Sequence, residues 1–298
     1  MAGQDALAEL AERFEAQRGR LRAVAYRMLG SPGEADDAVQ ETWLRLGRAG
    51  ADGVENLGAW LTTVVSRVCL DMLRARAARR EDLVGQPQPS DQAREADDGS
   101  DPEHEALLVD SVGRALLVVL ETLGPAERVA FVLHDLFAVP FDRIAPIVER
   151  SPVTTKKLAS RARHKVRGTP AVPAAELTRQ RRVVEAFLTA SREGDLSGLL
   201  AVLAPDVVRR ADPAVLPPGA ASLVRGARAV AGETVALARN ARFAAPALID
   251  GTMGIVVAPH GRLLLALTVR VEDERVAAYE VIADPARLRR LTLAAPDA

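Results

Sequence analysis

The sequence contains a single cysteine, Cys69, so an internal disulfide bond is impossible. Such cysteine usage is typical of a reducing compartment, and we expect Cys69 to be a small buried apolar residue rather than a redox sensor. The N-terminal residues lack the basic-then-apolar pattern of a signal peptide, and no apolar run approaches the roughly 20 residues of a membrane helix. These absences predict a cytoplasmic protein that does not engage a membrane.

Histidines are also scarce. The four in the chain, His104, His134, His164 and His260, are scattered without the spacing of metal ligands. Neither a metal site nor a cofactor is therefore predicted. The net charge of −1 says little by itself, because opposite charges are segregated along the chain.

The 298 residues are too many for one ordinary hydrophobic core, and their patterning divides them into three folded modules. Residues 1–80 and 106–168 carry apolar stripes at helical spacing, which predicts two all-α domains. Residues 179–298 begin with helices and continue with strand patterns separated by turn signals such as Asp250-Gly251. This order predicts an α+β domain with an antiparallel sheet.

Two segments are predicted to be linkers. Residues 81–105 hold nine acidic residues and one basic residue, and glycines and prolines interrupt any helix. This composition predicts a flexible linker, which is either a solubilising spacer or an acidic segment that competes with DNA for neighbouring basic surfaces. Residues 169–178, which include Ala171-Val172-Pro173, form the second linker.

A helix-turn-helix over residues 141–168 is the strongest local signal. Ser151-Pro152 is an N-cap followed by proline, a pair that fixes the start of a helix. From Arg150 to Arg167 there are seven lysine or arginine residues and no carboxylate. This charge favours a helix that enters a DNA major groove over an ordinary solvated helix. The residues predicted to contact DNA are Thr154, Thr155, Lys156, Lys157, Ser160, Arg161, Arg163 and His164.

The two helical modules together resemble an extracytoplasmic-function sigma factor. Residues 36–46, DDAVQETWLRL, are similar to the polymerase-binding helix of that family. Residues 57–74, LGAWLTTVVSRVCLDMLR, are similar to the helix that grips the −10 promoter element, and residues 127–167 to the domain that reads the −35 element. The resemblance implies a protein that binds core RNA polymerase and directs transcription initiation at promoter DNA, without catalytic chemistry of its own.

The resemblance also implies roles for individual residues. Asp37, Gln40 and Glu41 are expected to contact the clamp helices of the largest polymerase subunit, because a carboxylate-and-amide face suits a basic helical surface. Arginines near the −10 element can stabilise a melted strand through its backbone charge and by stacking. We expect Trp60 in the core rather than stacked on a base. The residues implied at the −10 element are Asn56, Arg67, Asp71, Arg74, Arg76, Arg79 and Arg80.

Residues 179–298 resemble the SnoaL-like branch of the nuclear-transport-factor-like α+β fold, which is cone-shaped. Residues 181–208, RRVVEAFLTASREGDLSGLLAVLAPDVV, carry the likeness as a long helix, a shorter helix and an edge strand. The whole chain is thus similar to sigma factors of the sigma-J type, in which such a domain follows two sigma domains. That type implies regulation by intramolecular contact with the sigma domains and a regulatory motif, ADPARL, that contains Asp284, Pro285 and Leu288. Whether a separate anti-sigma factor binds stays open.

Two other interpretations remain. One is a one-component DNA-binding transcriptional regulator with a small-molecule-sensing C-terminal pocket, and the other is a SnoaL-like enzyme tethered to DNA-binding helices. Catalysis needs an acid–base pair such as aspartate with histidine, whereas His260 lies in a predicted turn beside Gly261. The acidic and amide patch at residues 37–41, followed by the basic helix at residues 67–80, favours the sigma factor.

Overall fold

The computed structural model describes residues 2–49, 56–82, 111–216, 219–236 and 241–296. Packing divides the chain into two compact units. The first unit consists of Met1–Glu105 and Leu120–His164, and the second of Ala106–Val119 and Lys165–Ala298. The boundaries therefore cross the module predicted at residues 106–168. The linker predicted at residues 81–105 lies outside the described residues except for its first two, which end a helix.

A three-helix bundle opens the first unit. Helix α1 spans Ala2–Leu29, α2 spans Pro32–Ala49 and α3 spans Leu57–Asp82. Each of the three packs against the other two. Their apolar stripes close into a core, whose fully buried side chains include Phe14, Leu21, Met28, Leu46, Leu61 and Leu70.

The helix-turn-helix completes the first unit. Helix α4 spans Ser111–Glu121 and contributes its last two residues here. Helix α5, Pro125–Phe131, continues as a π-helical turn over Val132–Leu136. Helix α6 spans Phe141–Val148, and α7 spans Pro152–Arg167.

The turn between α6 and α7 has the geometry that its sequence predicts. Glu149 ends α6 in the left-handed region, with a φ of 56°. The Oγ of Ser151 accepts a hydrogen bond from the backbone N–H of Thr154 at 3.3 Å, and Pro152 is the first residue of α7. A serine cap satisfies an N–H that lacks a helical partner, and a proline at the first position has no N–H to leave unsatisfied. The start of α7 at Pro152 is thus confirmed.

The second unit is an α+β structure with a seven-stranded sheet in the order β2-β1-β6-β5-β4-β3-β7. Among the described strands, β1 pairs with β6 in parallel and all other pairs are antiparallel. The helices are α8 (Ala174–Glu193), α9 (Leu196–Val202), α10 (Ala227–Ala236) and the short α11 (Pro285–Leu288). The strands are β1 (Leu203–Ala211), β2 (Leu223–Arg225), β3 (Ala244–Ile249), β4 (Thr252–Val257), β5 (Leu265–Glu272), β6 (Arg275–Ile282) and β7 (Leu293–Ala294).

This architecture confirms the predicted α+β class. One detail is corrected: β1 is not an edge strand, because the three-residue β2 pairs along its outer side. A strand so short gives no detectable alternation in sequence. The core lies between the helices and the sheet, with Phe187, Leu199, Val230, Ile255 and Val276 among its buried residues.

None of the helices in the described ranges combines the length and apolar composition needed to span a bilayer.

Cys69 lies on α3 and is fully buried, as expected for a packing residue. Burial disfavours the thiolate and raises the pKa of Cys69 to about 12, although the positive charge of Arg128 partly opposes this shift. Because the thiolate is the reactive form, this cysteine is chemically inert in the folded protein.

We therefore expect iodoacetamide at pH 8 to alkylate the native protein at least about a thousandfold more slowly than the unfolded chain, whose thiol has an ordinary pKa near 8.5. Intact-mass spectrometry measures the rate at the only cysteine. The protein in concentrated guanidinium chloride is the control. Equal rates in both states would show that Cys69 is accessible and reactive.

Candidate nucleic-acid interface

Helix α7 has a buried inner side and a basic outer side. Thr155, Ala159, Ala162 and Val166, at helical spacing, are all buried. The helix sequence contains no carboxylate, so nothing within it offsets the positive charge of the outer side. Such a surface suits the phosphates and base edges of a DNA groove. The predicted contacts that are exposed there are Thr154, Lys156, Lys157, Ser160, Arg161 and His164.

Thr155 was expected to face DNA, and that prediction is wrong. Its side chain is 0% exposed, and its hydroxyl donates a hydrogen bond to the backbone carbonyl of Ser151 at 3.0 Å. Thr155 lies in line with Ala159 and Ala162, so the packing of the helix turns it inward. Arg163 is only half exposed, and its Nε donates to the carboxylate of Asp135 at 2.6 Å. This ion pair therefore connects α7 to the π-helical turn that follows α5.

Sequence reasoning also missed a residue at the start of this helix. Val153 is 67% exposed and belongs to the same outer side as Lys157 and Ser160. A search for polar and charged residues passes over a valine. The signal that reveals it is its position opposite the buried row.

On α3, two of the arginines predicted at the −10 element contact α6 and the residue that follows it. Arg67 donates to the backbone carbonyl of Pro146 at 3.3 Å, and Arg74 binds the carboxylate of Glu149 at 3.1 Å. Asp71 is exposed between them, 4.0 Å from Arg74. Because α3 also packs against α5 and α6, part of the predicted −10 face lies against the helix-turn-helix within the first unit.

Arg76 is bonded to neighbouring helices within the first unit, and its predicted DNA contact stays a prediction. Its side chain is 19% exposed, forms an ion pair with Glu34 and lies 3.9 Å from Glu121. It also donates to the backbone carbonyl of Leu29 at 3.3 Å. These partners hold α3 to the turn between α1 and α2.

The other residues predicted near the −10 element differ in their surroundings. Asn56 is exposed and caps α3, because its Oδ1 accepts the backbone N–H of Ala59 at 2.9 Å. Arg79 is exposed, whereas the side chain of Arg80 lies outside the described residues. Trp60, expected in the core, is only partly buried.

Helix α2 presents the predicted polymerase face. Asp37 and Gln40 are exposed, and Glu41 is partly buried with its carboxylate 2.8 Å from Arg45. Leu44, 44% exposed, extends the same face by one turn. The side of α2 that packs on the bundle consists of Ala35, Ala38, Val39, Thr42 and Leu46.

The ADPARL segment forms a tightly bonded turn in the second unit. Asp284 caps α11 by accepting the backbone N–H of Arg287 at 2.8 Å. Asp212 accepts the backbone N–H groups of Ala283 and Asp284, both at 3.0 Å, and binds the guanidinium of Arg287 at 2.5 Å. Burial alone acts to raise the pKa of Asp212, but these hydrogen bonds outweigh it and the pKa is lowered. Within this turn, Pro285 is exposed and Leu288 is partly buried.

The described residues contain no group of three or more histidine, cysteine, aspartate or glutamate side chains that could hold a metal ion. His134 donates a hydrogen bond from its Nδ1–H to the backbone carbonyl of Val139 at 3.0 Å and stacks on Phe141, so it serves packing. His104 and the side chain of His260 lie outside the described part of the chain.

Comparison with known proteins identifies two family regions in the chain. Residues 13–79 match the family described as Sigma-70 region 2, and residues 113–166 match Sigma-70, region 4. The chain is 37% identical to the ECF RNA polymerase sigma factor SigJ of Mycobacterium tuberculosis, over 91% of each chain. It is 40% identical to the probable ECF RNA polymerase sigma factor SigI of that species, over 67% of this chain and 68% of the other. A crystal structure of M. tuberculosis SigJ covers 94% of this chain and 98% of that one, at 33% identity and a TM-score of 0.45.

Sigma-70 regions 2 and 4, in this order, define a sigma factor. The chain belongs to the extracytoplasmic-function sigma factors, which bind core RNA polymerase and promoter DNA. This membership confirms the sigma-factor interpretation over the one-component regulator. The similarity to SigJ along nearly the whole chain also confirms the resemblance to the sigma-J type.

We expect Glu149→Gln to strengthen the binding of the free protein to a single-stranded −10 oligonucleotide by about two- to fivefold. The ion pair with Arg74 is exposed, and such pairs contribute about 0.2–1 kcal/mol. Its loss leaves Arg74 available to the strand. Fluorescence anisotropy measures the affinity.

Asp142→Asn is the matched control, since it removes one exposed negative charge from the same helix-turn-helix. An equal gain for both variants would mean that reduced repulsion of DNA, rather than release of Arg74, explains the result.

Proposed function

We propose that this sigma factor docks on core polymerase through Asp37, Gln40 and Glu41 of α2, which meet the clamp helices of the largest subunit. The proposal is supported by the alignment of these three residues on one side of the helix, opposite the row that packs on the bundle. Leu44 adds an apolar contact to that side. A charged rim around an apolar residue is a common composition for a protein interface.

The observation that carries the DNA part of the proposal is the carboxylate-free outer side of α7. In this function α7 enters the major groove at the −35 element, where lysines and arginines contact phosphates and guanine edges. Arg67, Asp71, Arg74 and Arg79 of α3 hold the opened −10 strand. The polymerase makes the bonds, and this chain supplies position and strand separation in the cytoplasm. The residues assigned to the −35 element are Thr154, Lys156, Lys157, Ser160, Arg161 and His164.

The second unit has a regulatory function in this proposal. The turn at Asp284, Pro285 and Leu288 is held in one conformation by Asp212 and Arg287, so it can present a fixed surface. Pro285 is exposed and Leu288 is partly buried, and these two side chains are the proposed contacts with a partner surface. The intramolecular partner is a surface on the sigma domains.

To test the docking face, we expect Asp37→Lys to weaken binding to core polymerase at least about tenfold. A lysine places like charge against the basic clamp helix, and such juxtaposition costs several kcal/mol at a protein interface. Titration of labelled protein with core polymerase measures the affinity.

Glu12→Lys is the control for that experiment, because Glu12 is an exposed carboxylate on α1 rather than on the docking face. Equal affinities for Asp37→Lys and Glu12→Lys would contradict docking through α2.

To test regulation, we expect a chain that ends at Gly168 and a full-length Pro285→Ala/Leu288→Ala variant to change promoter-specific transcription in the same direction. The truncation also removes most of the unit to which residues 106–119 belong. The double variant keeps that unit and the Asp284 cap, so it separates a regulatory contact from loss of folding support. Transcription with purified core polymerase is the measurement.

If both proteins transcribe like the full chain, the second unit has no regulatory function. If only the truncation has an effect, the contact does not involve Pro285 or Leu288.

A further inference from the structure

Val153 has the largest exposed fraction among the large apolar side chains of the described residues, at 67%. Single exposed apolar residues are common on protein surfaces and have no meaning by themselves. The place of Val153 on α7 is what distinguishes it.

Val153 begins the outer row of α7. The buried residues Thr155, Ala159, Ala162 and Val166 define the inner side of the helix. With 3.6 residues per turn, residues 153, 157, 160 and 164 lie on the opposite side, at spacings of four, seven and eleven residues. Lys157, Ser160 and His164 are exposed as well. Val153 is therefore the member of this row nearest the N-terminus of the helix.

The first turn of a recognition helix is the part that approaches base edges in the major groove. Thymine is the base that presents a methyl group there, and apolar side chains contact it. The side chain of Val153 has neither a donor nor an acceptor, so it cannot read a base by hydrogen bonding. Lys156 and Lys157, one turn further along, can fix the register through phosphates.

We infer that Val153 contacts the 5-methyl group of a thymine in the upstream promoter element and thereby selects an A·T pair at one position. The inference rests on the proposed function, in which α7 reads the −35 element. A β-branched side chain suits the contact, because a helix restricts valine to one main rotamer and little entropy is lost on binding.

Thr154, the next residue, also carries a methyl group and is the alternative candidate for the thymine contact. It is exposed, and its hydroxyl is 2.9 Å from the Oγ of Ser151. As the next residue on the helix it projects about 100° away from the outer row. Its methyl is thus aimed away from the row that contains Val153, Lys157 and Ser160.

The test uses the holoenzyme assembled from the full chain and core polymerase, with a promoter selected by transcription from fragments of the source genome. Each thymine of the upstream element, on either strand, is replaced in turn by deoxyuridine. This change removes the methyl group and leaves base pairing and the O4 acceptor intact. Competition binding measures the ratio of the affinity for the thymine promoter to the affinity for the promoter with deoxyuridine.

For the unaltered protein, we expect one replacement to weaken binding about fourfold, which is the value for burying one methyl group. Val153→Ala should bind the native promoter about fourfold more weakly and no longer distinguish thymine from deoxyuridine. Alanine favours an exposed helical position, so the helix is retained, and far-ultraviolet circular dichroism checks this.

Lys157→Ala should weaken both affinities and keep their ratio near four. Thr154→Ser, which removes the competing methyl group, should also keep that ratio.

Two results would overturn the inference and leave the proposed function intact. In one, the holoenzyme binds the promoter but no deoxyuridine replacement changes the affinity. In the other, Val153→Ala keeps the fourfold ratio or Thr154→Ser loses it. If scrambling the whole upstream element leaves the affinity of the unaltered holoenzyme unchanged, the proposed role of α7 itself fails.

Discussion

The packing of α3 is the constraint on which the first unit depends. This one helix contacts α1, α2, α5 and α6, and its buried side chains include Leu61, Val65 and Leu70. The exposed side of α3 forms a polar strip that includes Arg67, Asp71 and Arg74. Because the same helix organises the core and carries the predicted −10 residues, the polar strip is held at a fixed position relative to the bundle.

The geometry of α3 also explains why arginines of one helix differ in role. Arg74 lies on the strip and has an exposed ionic partner, Glu149. Arg76, two residues later, is rotated by about 200° and contacts Glu34 and the backbone carbonyl of Leu29 at a partly buried position beside α1 and α2. A basic run in sequence therefore contains both an exposed arginine and one that joins neighbouring helices.

Much of the fold could be predicted from local signals. The pair Ser151-Pro152 predicted one helix start, and apolar stripes at helical spacing predicted the helices α1 to α3. The errors arose where the decisive information is tertiary. Thr155 lies in a basic segment, yet only the packing of α7 reveals that it points inward. Strand β2 is three residues long, so its pairing with β1 could not be recognised from alternation. Val153 was missed because a search for charged and polar side chains does not select an exposed apolar residue.

Two physical effects favour different residues at position 149, in the turn before α7. Glu149 occupies the left-handed region, where a residue with a Cβ pays about 1–2 kcal/mol that glycine avoids. A glycine at this position would lower the conformational energy of the backbone. It would also remove the carboxylate that binds Arg74. The residue with the lowest backbone energy here is glycine, whereas the ion pair with Arg74 requires a carboxylate. One residue thus sets both the backbone energy of this turn and the ion pair that joins the turn to α3.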